Sequence, residues 1–357
     1  MGHLAIVNSD TINNIGDSHP YISITGELNT YPYKTLSDLL ADALAVRSGD
    51  KIFTWMIDGG RKPGIGFDRY YTANGQVVFD PTSDFPIKIG IKDGYKYENS
   101  VPEEEALDLF RRHLLWNAIG KKSLGRGRSL SHQTTDEDSL LINLLNDANT
   151  TAGQVVRSKI ISAPTYNSAY TPISINNFAL TSNNPIIIGA SLSSVPVGVI
   201  VWNNGRQFLY EKTLEAYLCA YIDSPNVGFC SMLGYPNYSI KWFGNYLPYG
   251  VAGKNIDLVC EISDGQNCKI IVIELKNLNT SYASYKDIVD NQLILYTAFI
   301  KRAFTSYRGN NVDVEQVVLT HIPGRLPSNN QTQYKSTKWI GYDIDPSSGV
   351  VSFQRIL

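Results

Sequence analysis

The sequence predicts an α/β protein with a β-rich N-terminal half and a C-terminal half built from a mixed sheet flanked by helices. Short strand-like runs separated by Gly-containing turn signals dominate the first half, whereas strand and helix patterns alternate after about residue 186. Residues 149–185, between the halves, are rich in Ser, Thr, Asn and Pro, which is typical of a linker. We therefore expect an N-terminal domain at 1–148, a linker at 149–185 and a C-terminal domain at 186–357.

Composition places the chain among ordinary globular proteins. Its 357 residues carry a formal charge of −2 and are 43% hydrophobic, which is enough for two buried cores. No apolar run approaches the roughly 20 residues that cross a bilayer, and the first residues lack the pattern of a secretory signal. A cytoplasmic protein is expected. The cysteines form no C-x-x-C pair, so we interpret them as reduced packing residues rather than zinc ligands: Cys219, Cys230, Cys260 and Cys268.

Strands joined by tight turns are predicted for most of the N-terminal half. Runs such as DKIFTWMI and IKIGIK have the apolar and β-branched composition of strands. Asn74-Gly75 and Asp93-Gly94 interrupt such runs, and both dipeptides favour hairpin turns, in which the central residues adopt positive φ. Helices are predicted at residues 35–46, 102–119 and 136–148. The last of these begins with three acidic residues, where the helix dipole favours them.

The C-terminal half alternates strands with helices. Residues 196–203, 255–262 and 268–276 have the apolar pattern of strands, and residues 209–222 and 285–304 have that of helices. Further strands are predicted at 314–322 and 338–345. Asp264-Gly265 lies between two of the apolar runs and predicts a hairpin turn that joins them.

This predicted hairpin brings two carboxylates together. If the turn is centred near Gly265 and Gln266, Asp257 and Glu274 are equidistant from the centre and lie opposite each other on adjacent strands. Lys276 lies two residues beyond Glu274 and shares its face. Two facing anions repel each other unless a cation lies between them, which indicates Mg²⁺, with Mn²⁺ as a substitute. The alternative is an ordinary surface ion pair between Glu274 and Lys276 on an edge strand.

The same residues resemble a known family. Asp257, Glu274 and Lys276 in IDLVCEISDGQNCKIIVIELK match the PD-(D/E)xK nuclease motif. The segment QLILY, which contains Gln292 and Tyr296, is similar to the Gln-x-x-x-Tyr extension of RecB-like members, and both side chains are expected on one helix face. The resemblance covers about residues 205–305. It implies a restriction-endonuclease-like fold, Mg²⁺-dependent cleavage of phosphodiesters, and Asp257 and Glu274 as metal ligands.

A helix upstream of the hairpin supplies a third carboxylate in this comparison. EKTLEAYL is similar to the E-x-x-L-E helix that opens the nuclease domain of NucS-like enzymes, whose first Glu completes the metal site. The resemblance places that role on Glu211, with Glu215 one turn later as the reserve. A solvated helix face is the alternative for both. One departure is Ile256, which precedes Asp257 where the motif has proline, although many family members lack that proline.

The N-terminal half contains aromatic and basic residues suited to nucleic acid. Its runs GDKIFTWMI, GIGFDRYY and VVFDP are loosely similar to PUA-type domains of the EVE and YTH kind, which are small β-barrels that bind nucleic acid. Four aromatic residues are candidates for base stacking, with a core position as the alternative: Trp55, Tyr70, Tyr71 and Trp116. Six cations are candidates for phosphate contacts, with a solvated loop as the alternative: Lys121, Lys122, Arg126, Arg128, Arg61 and Arg69.

The leading hypothesis is a Mg²⁺-dependent DNA endonuclease of restriction type, whose N-terminal domain reads a sequence or a modified base. Two alternatives stay open. One is a repair nuclease that cuts branched or mismatched DNA, and the other is a DNA-binding protein with an inactive nuclease fold. The chain contains no helicase or ATPase motif, so we expect cleavage without ATP. Cutting both strands would usually require a homodimer.

Overall fold

A computed structural model describes most of both halves of the chain. The residues that it describes are 2–7, 9–24, 33–56, 66–80, 82–102, 104–106, 108, 130–173, 202–203, 206–208, 211–222, 228–249, 254–276, 287–309, 311–321, 336–345, 347 and 350–356. Within these ranges, no helix is both long enough and apolar enough to cross a membrane.

The chain divides into two compact units, and each contains one large sheet. The first unit includes Met1–Pro32 and Asp42–Ser174, and the second includes Tyr33–Ala41 and Pro196–Leu357. Strands and helices are both present in quantity. The predicted mixed α/β class is therefore confirmed.

Ten strands and three helices with defined bounds lie in the described part of the N-terminal half, and residues 104–106 and 108, within the helix predicted at 102–119, are also helical. The strands are β1 (Gly2–Val7), β2 (Tyr21–Ser23), β3 (Lys51–Met56), β4 (Phe67–Phe79), β5 (Ile87–Val101), β6 (Leu130–Gln133), β7 (Thr150–Thr151), β8 (Gln154–Val155), β9 (Arg157–Ile161) and β10 (Thr171–Ile173). The helices are α1 (Ser9–Asn13), α2 (Tyr33–Leu44) and α3 (Thr135–Ala148). Helix α3 begins with a capping box in which Thr134 and Glu137 satisfy each other's backbone N–H groups.

The large sheet of the first unit has the strand order β2-β5-β4-β3-β1-β6, with β9 paired to β5 and β10 paired to β4. Strands β1 and β3 are parallel, and the other pairs are antiparallel. Its apolar core includes Leu4, Phe53 and Tyr71, whose side chains are fully buried.

The two predicted turns at Asn74-Gly75 and Asp93-Gly94 are wrong. Strand β4 continues through Gly75 and strand β5 continues through Gly94. Asn74-Gly75 lies where the β4–β5 register shifts, between Ala73 and Val77, whereas Asp93 and Gly94 pair in register with Thr72 and Tyr71. Gly75 does adopt a positive φ of 86°, so the local conformation was anticipated, but it forms a bulge within a strand instead of a reversal.

The linker predicted at residues 149–185 is wrong over its first half. Strands β9 and β10 lie there and pair with β5 and β4, so this polar segment belongs to the sheet of the first unit. Strands β9 and β10 are short and mostly exposed, which explains why they lack an apolar period. Residues 174–185 lie outside the described part of the chain.

The described C-terminal half contains eight strands, three α-helices and a π-helical turn. The strands are β11 (Trp202–Asn203), β12 (Gln207–Phe208), β13 (Ser239–Tyr249), β14 (Lys254–Ser263), β15 (Cys268–Lys276), β16 (Val314–His321), β17 (Thr337–Ile344) and β18 (Val351–Arg355). The helical segments are α4 (Glu211–Ile222), α5 (Phe229–Met232), the π-helical turn Ile288–Leu293 and α6 (Ile294–Arg308).

Six of these strands form one sheet in the order β13-β14-β15-β16-β17-β18. Strands β15, β16 and β17 are parallel to one another, and the outer pairs are antiparallel. The connection from β15 to β16 contains the π-helical turn and α6, because parallel neighbours require a crossover. Strand β15 lies between two partners, which explains its continuous apolar run from Ile270 to Ile273.

Three of the four cysteines pack in the core of the second unit as predicted. Cys219, Cys230 and Cys260 are buried free thiols, whereas Cys268 is exposed at the start of β15. The packing interpretation is therefore wrong for Cys268, which lies beside the hairpin turn.

Candidate active site

The β14–β15 hairpin places Asp257 opposite Glu274. The β14–β15 register pairs Leu258 with Ile273 and continues to Ser263 and Cys268, so the next positions outward are Asp257 and Glu274. Gly265 adopts a φ of 97° in the turn. The predicted register is thus confirmed. The backbone N–H of Leu275 donates to Asp257 Oδ2 at 2.8 Å and fixes that carboxylate against the end of β15.

Lys276 completes a compact trio with the two acids. Its Nζ donates to Glu274 Oε1 at 2.6 Å, and the two residues share a face of β15. Burial alone would lower the pKa of Lys276, but the carboxylates of Glu274 and Asp257 outweigh it and raise the pKa above its usual value. The ammonium form is therefore the one present at neutral pH. The edge-strand alternative fails, because Glu274 is buried and β15 has a neighbour on each side.

Burial raises the pKa of both acids. For Asp257, burial is the main cause and Glu274 adds to it, while Lys212 and Lys276 oppose it. For Glu274, burial again raises the pKa most, Lys276 opposes it, and the nearby Glu211 raises it further. The pair therefore holds a proton more readily than two exposed carboxyls would.

Helix α4 lies beside the trio and contributes both of its glutamates in different ways. Glu211, at the first position of α4, is near enough to act on Glu274 and Lys276. Glu215 is buried and already paired: Lys212 Nζ donates to its Oε2 at 2.6 Å, and Asn245 Nδ2 donates to its Oε1 at 2.7 Å. Glu215 therefore links α4 to β13 with both carboxylate oxygens engaged, and it lies near enough to Asp257 to raise the pKa of that acid.

Gln292 and Tyr296 lie on the helical segment that follows β15, but not on one regular α-helix as predicted. Gln292 is in the π-helical turn and Tyr296 is in α6. A π-turn holds more residues per turn than an α-helix, so the two side chains are offset from the simple four-residue spacing. Burial first, and then Glu274 and Asp257, raise the pKa of Tyr296 to about 12, which places its hydroxyl near the two acids.

Three residues near the trio were missed from the sequence. Lys212 contacts the Tyr246 ring at 3.7 Å and lies 3.4 Å from Asp38 Oδ1. Tyr246 has a φ of 51°, which is unusual for a non-Gly residue, and follows Asn245 on the strand next to Asp257. Thr320 is the register partner of Lys276 on β16, and its buried hydroxyl has no hydrogen-bond partner within the described residues. Only the pairing of distant strands reveals these neighbours.

A divalent cation fits the two hairpin acids better than it fits the predicted set of three. Among the residues that the structure describes, no group of three or more His, Cys, Asp and Glu side chains is arranged to hold a metal ion. The set Asp257, Glu274 and Glu211 is therefore not assembled as a three-carboxylate site. Glu274 Oε2, however, is buried and accepts no hydrogen bond from the described residues. Mg²⁺ needs only one or two carboxylates because it keeps several waters.

The structure contradicts four of the nucleic-acid contacts predicted for the N-terminal half. Trp55, Tyr70 and Tyr71 have buried side chains in the first unit, so the base-stacking role is wrong for these three and the core alternative holds. Arg69 is also buried, and its guanidinium donates to both oxygens of Asp68, which leaves it unsuited to phosphate contacts. The remaining predicted contacts lie outside the described residues: Lys121, Lys122, Arg126, Arg128, Arg61 and Trp116.

Comparison of the chain with protein-family models, with curated proteins and with solved structures finds no significant match.

Proposed function

We propose that the protein is a Mg²⁺-dependent DNA endonuclease whose second unit is a restriction-endonuclease-like nuclease domain. The observation that supports this most is the meeting of Asp257, Glu274 and Lys276 at the end of a buried hairpin. Two acids with raised pKa values beside a lysine held as ammonium are a costly arrangement that a fold alone does not need. In this proposal the first unit, PUA-like in type, reads the DNA.

Asp257 and Glu274 would hold the metal ion. Bound there, Mg²⁺ or Mn²⁺ would supply Lewis-acid stabilisation of the phosphate and would acidify water. Lys276 then donates hydrogen bonds to a phosphate oxygen and stabilises the negative charge that grows during attack. The Leu275 N–H keeps Asp257 in place.

Two further side chains orient the reacting groups. Tyr296 keeps its proton at neutral pH, because its pKa is raised to about 12, so its hydroxyl is able to donate to an oxygen near the acids. Gln292 Oε1 is buried and has no partner among the described residues, so it is free to accept a hydrogen bond from water. Both roles are ones of orientation, since neither group titrates near neutral pH.

The test is DNA cleavage by the full chain with Mg²⁺ or with chelator. Substrates are supercoiled plasmid, modified and unmodified genomic DNA, and branched oligonucleotides. We expect Glu274→Gln and Lys276→Met each to lower the cleavage rate by about 100-fold or more. Lys269→Met is the matched control, because Lys269 lies on the same strand but pairs with Asp313 and Glu315 away from the trio.

Each outcome has a definite meaning. Cutting that is lost in both site variants and kept in Lys269→Met supports the proposal. Preference for intact or modified duplex indicates restriction, whereas preference for branched DNA indicates repair. A wild-type protein that binds DNA and Mg²⁺ but cuts no substrate contradicts the proposal and favours an inactive nuclease fold.

A further inference from the structure

Arg157, at the start of β9 in the first unit, is an exposed cation held by three tyrosines. Its guanidinium lies 4.5 Å from the centre of the Tyr95 ring. Its Nη1 donates to the hydroxyls of Tyr70 at 3.2 Å and Tyr97 at 3.4 Å. An exposed arginine is normally mobile, and these contacts fix its position and leave part of it open to solvent.

Strand register explains why the tyrosines meet this arginine. Tyr97 is the partner of Arg157 across the β5–β9 pair, and Tyr70 is the partner of Tyr95 across the β4–β5 pair. Residues paired in this way share one face of the sheet. The hydroxyl of Tyr97 is also bound to helix α3, through Asn146 Oδ1 at 3.1 Å. Hydrogen bonds to the sheet and to helix α3 therefore fix the polar groups of this face in position.

Arg157 has no carboxylate partner in the described part of the chain. Its hydrogen bonds go to tyrosine hydroxyls alone, which are neutral acceptors. Asp93, an acidic residue of β5, forms its ion pair with Lys159 at 3.4 Å. A fixed guanidinium with unused N–H donors and no counter-ion is an arrangement that suits an external anion.

A second cation lies beside the first. Lys51 Nζ is 5.2 Å from the centre of the Tyr70 ring and donates to Thr72 Oγ1 at 2.9 Å. Burial lowers the pKa of Lys51 most, and Arg157 and Lys92 lower it further, while Asp93 and Asp138 oppose this. Two neighbouring like charges cost free energy unless an anion is shared between them.

We propose that Arg157 and Lys51, which Tyr70, Tyr95 and Tyr97 hold in position, bind a phosphate group of the DNA backbone; these five residues are here called the Arg157 patch. Phosphate is the anion that suits this patch, since Arg binds its oxygens with several parallel hydrogen bonds. Such contacts supply affinity and position without reading sequence. The choice of DNA as the source of the phosphate rests on the proposed function, while the anion site itself rests on the geometry of the first unit.

The experiment measures DNA binding by the full chain, in chelator so that no cleavage occurs, by fluorescence anisotropy over a salt series. Arg157→Gln removes the charge at an exposed position, and Arg157→Lys keeps the charge but loses the forked donors. Lys96→Gln is the matched control. Lys96 is also exposed on β5, but it lies between Tyr95 and Tyr97 in sequence and hence on the opposite face.

We expect Arg157→Gln to weaken binding of a labelled duplex about tenfold and to reduce the salt slope by about 0.9, the value for one lost phosphate contact. Arg157→Lys should keep most of the slope, and Lys96→Gln should match the wild type. An Arg157→Gln protein that binds like Lys96→Gln overturns the inference. So does binding of millimolar inorganic phosphate to the wild type that is lost in Arg157→Gln while duplex affinity is unchanged, which would indicate a small-anion site.

Failure of this inference and failure of the proposed function are separable. Weakened DNA binding in Arg157→Gln, with no cleavage by the wild type, supports the patch and contradicts the endonuclease. Cleavage by the wild type, with normal DNA binding by Arg157→Gln, supports the endonuclease and contradicts the patch. The melting temperature of each variant identifies a general loss of folding.

Discussion

Asp257 and Glu274 make the folded state sensitive to pH, because burial raises the pKa of both. A carboxyl with a raised pKa stabilises the fold fully below its unfolded pKa, about 3.9 for Asp and 4.3 for Glu. That contribution is lost as pH rises through the folded pKa. The metal-free protein should therefore lose stability above about pH 4 as the pair ionises.

Asp257→Asn tests this. The amide keeps an oxygen for the Leu275 N–H but cannot ionise. We expect its free energy of unfolding at pH 8, in chelator, to exceed that of the wild type by about 1 kcal/mol, since one pKa unit corresponds to about 1.4 kcal/mol. The difference should shrink near pH 4. Urea denaturation measures both values.

Asp264→Asn, on the same hairpin, is the contrasting variant. Backbone N–H groups of Asn267 and Gln266 lower the pKa of Asp264 to about 2. Its contribution is present above the unfolded pKa and is lost as pH falls, so removing it should destabilise the protein at neutral pH. If Asp257→Asn also destabilised the metal-free protein at pH 8, the explanation from the raised pKa of Asp257 would be wrong.

The sequence identifies the trio because the hairpin is local. Asp257, Glu274 and Lys276 depend only on a turn and on strand alternation, both visible within 20 residues. Thr320 and Tyr246 depend on which strands become neighbours, and that pairing is decided by packing of the whole sheet. The same limit applies to Tyr70 and Trp55, because the sequence pattern of an aromatic residue in a strand is the same whether it packs in the core or lies on a binding face.

At the scale of elements, Gly94 is required by a close approach within the first sheet. A Cβ at this position would lie 2.8 Å from Cδ1 of the Tyr71 ring, which is fully buried. We expect Gly94→Ala to lower the free energy of unfolding by about 1–3 kcal/mol, the usual cost of overpacking. Gly16→Ala is the control, because no atom lies within 4 Å of its added methyl group. Equal urea midpoints for the two variants would contradict this explanation.

Most elements with a strong period were predictable, and the failures have a common cause. Strand β15 and helix α3 match their predicted bounds within a residue, since apolar periodicity and a helix cap specify them locally. Strand β13 and the π-helical turn were not predicted. Strand β13 contains Gly, Pro and Asn and is held by its pairing with β14, while a π-turn has no sequence signal of its own.

At the scale of the whole molecule, Mg²⁺ should stabilise one unit selectively. A ligand that binds only the folded state adds about 2.7 kcal/mol at 100 times its dissociation constant. We expect Mg²⁺ to slow hydrogen exchange across β14 and β15, with no comparable change in β1 or β3, as measured by mass spectrometry. Asp264→Asn should keep this response, and the double variant Asp257→Asn, Glu274→Gln should lose it. Slowed exchange in both units, or in neither, would count against metal binding at the hairpin.

The number of large sheets could be predicted from the sequence, but not which strands belong to each sheet. Residues 157–173 have linker composition and nevertheless include β9 and β10, which pair with β5 and β4. Their pairing partners lie at least 60 residues away, so nothing in the local pattern distinguishes an exposed edge strand from a connection.

The β14–β15 turn has a consequence for how this chain tolerates change in evolution. Surface turns usually accept insertions and deletions without harm. Here the turn is joined to the acids by six residue pairs, from Leu258 to Ser263, which span about 20 Å at about 3.3 Å per residue. The length of the turn therefore determines which residues face each other at the acids. One inserted residue that shifted the register would turn Glu274 and Lys276 to the opposite side of the sheet from Asp257. The exposed loop of Asp264 and Gly265 is thus constrained in length by chemistry that it never touches.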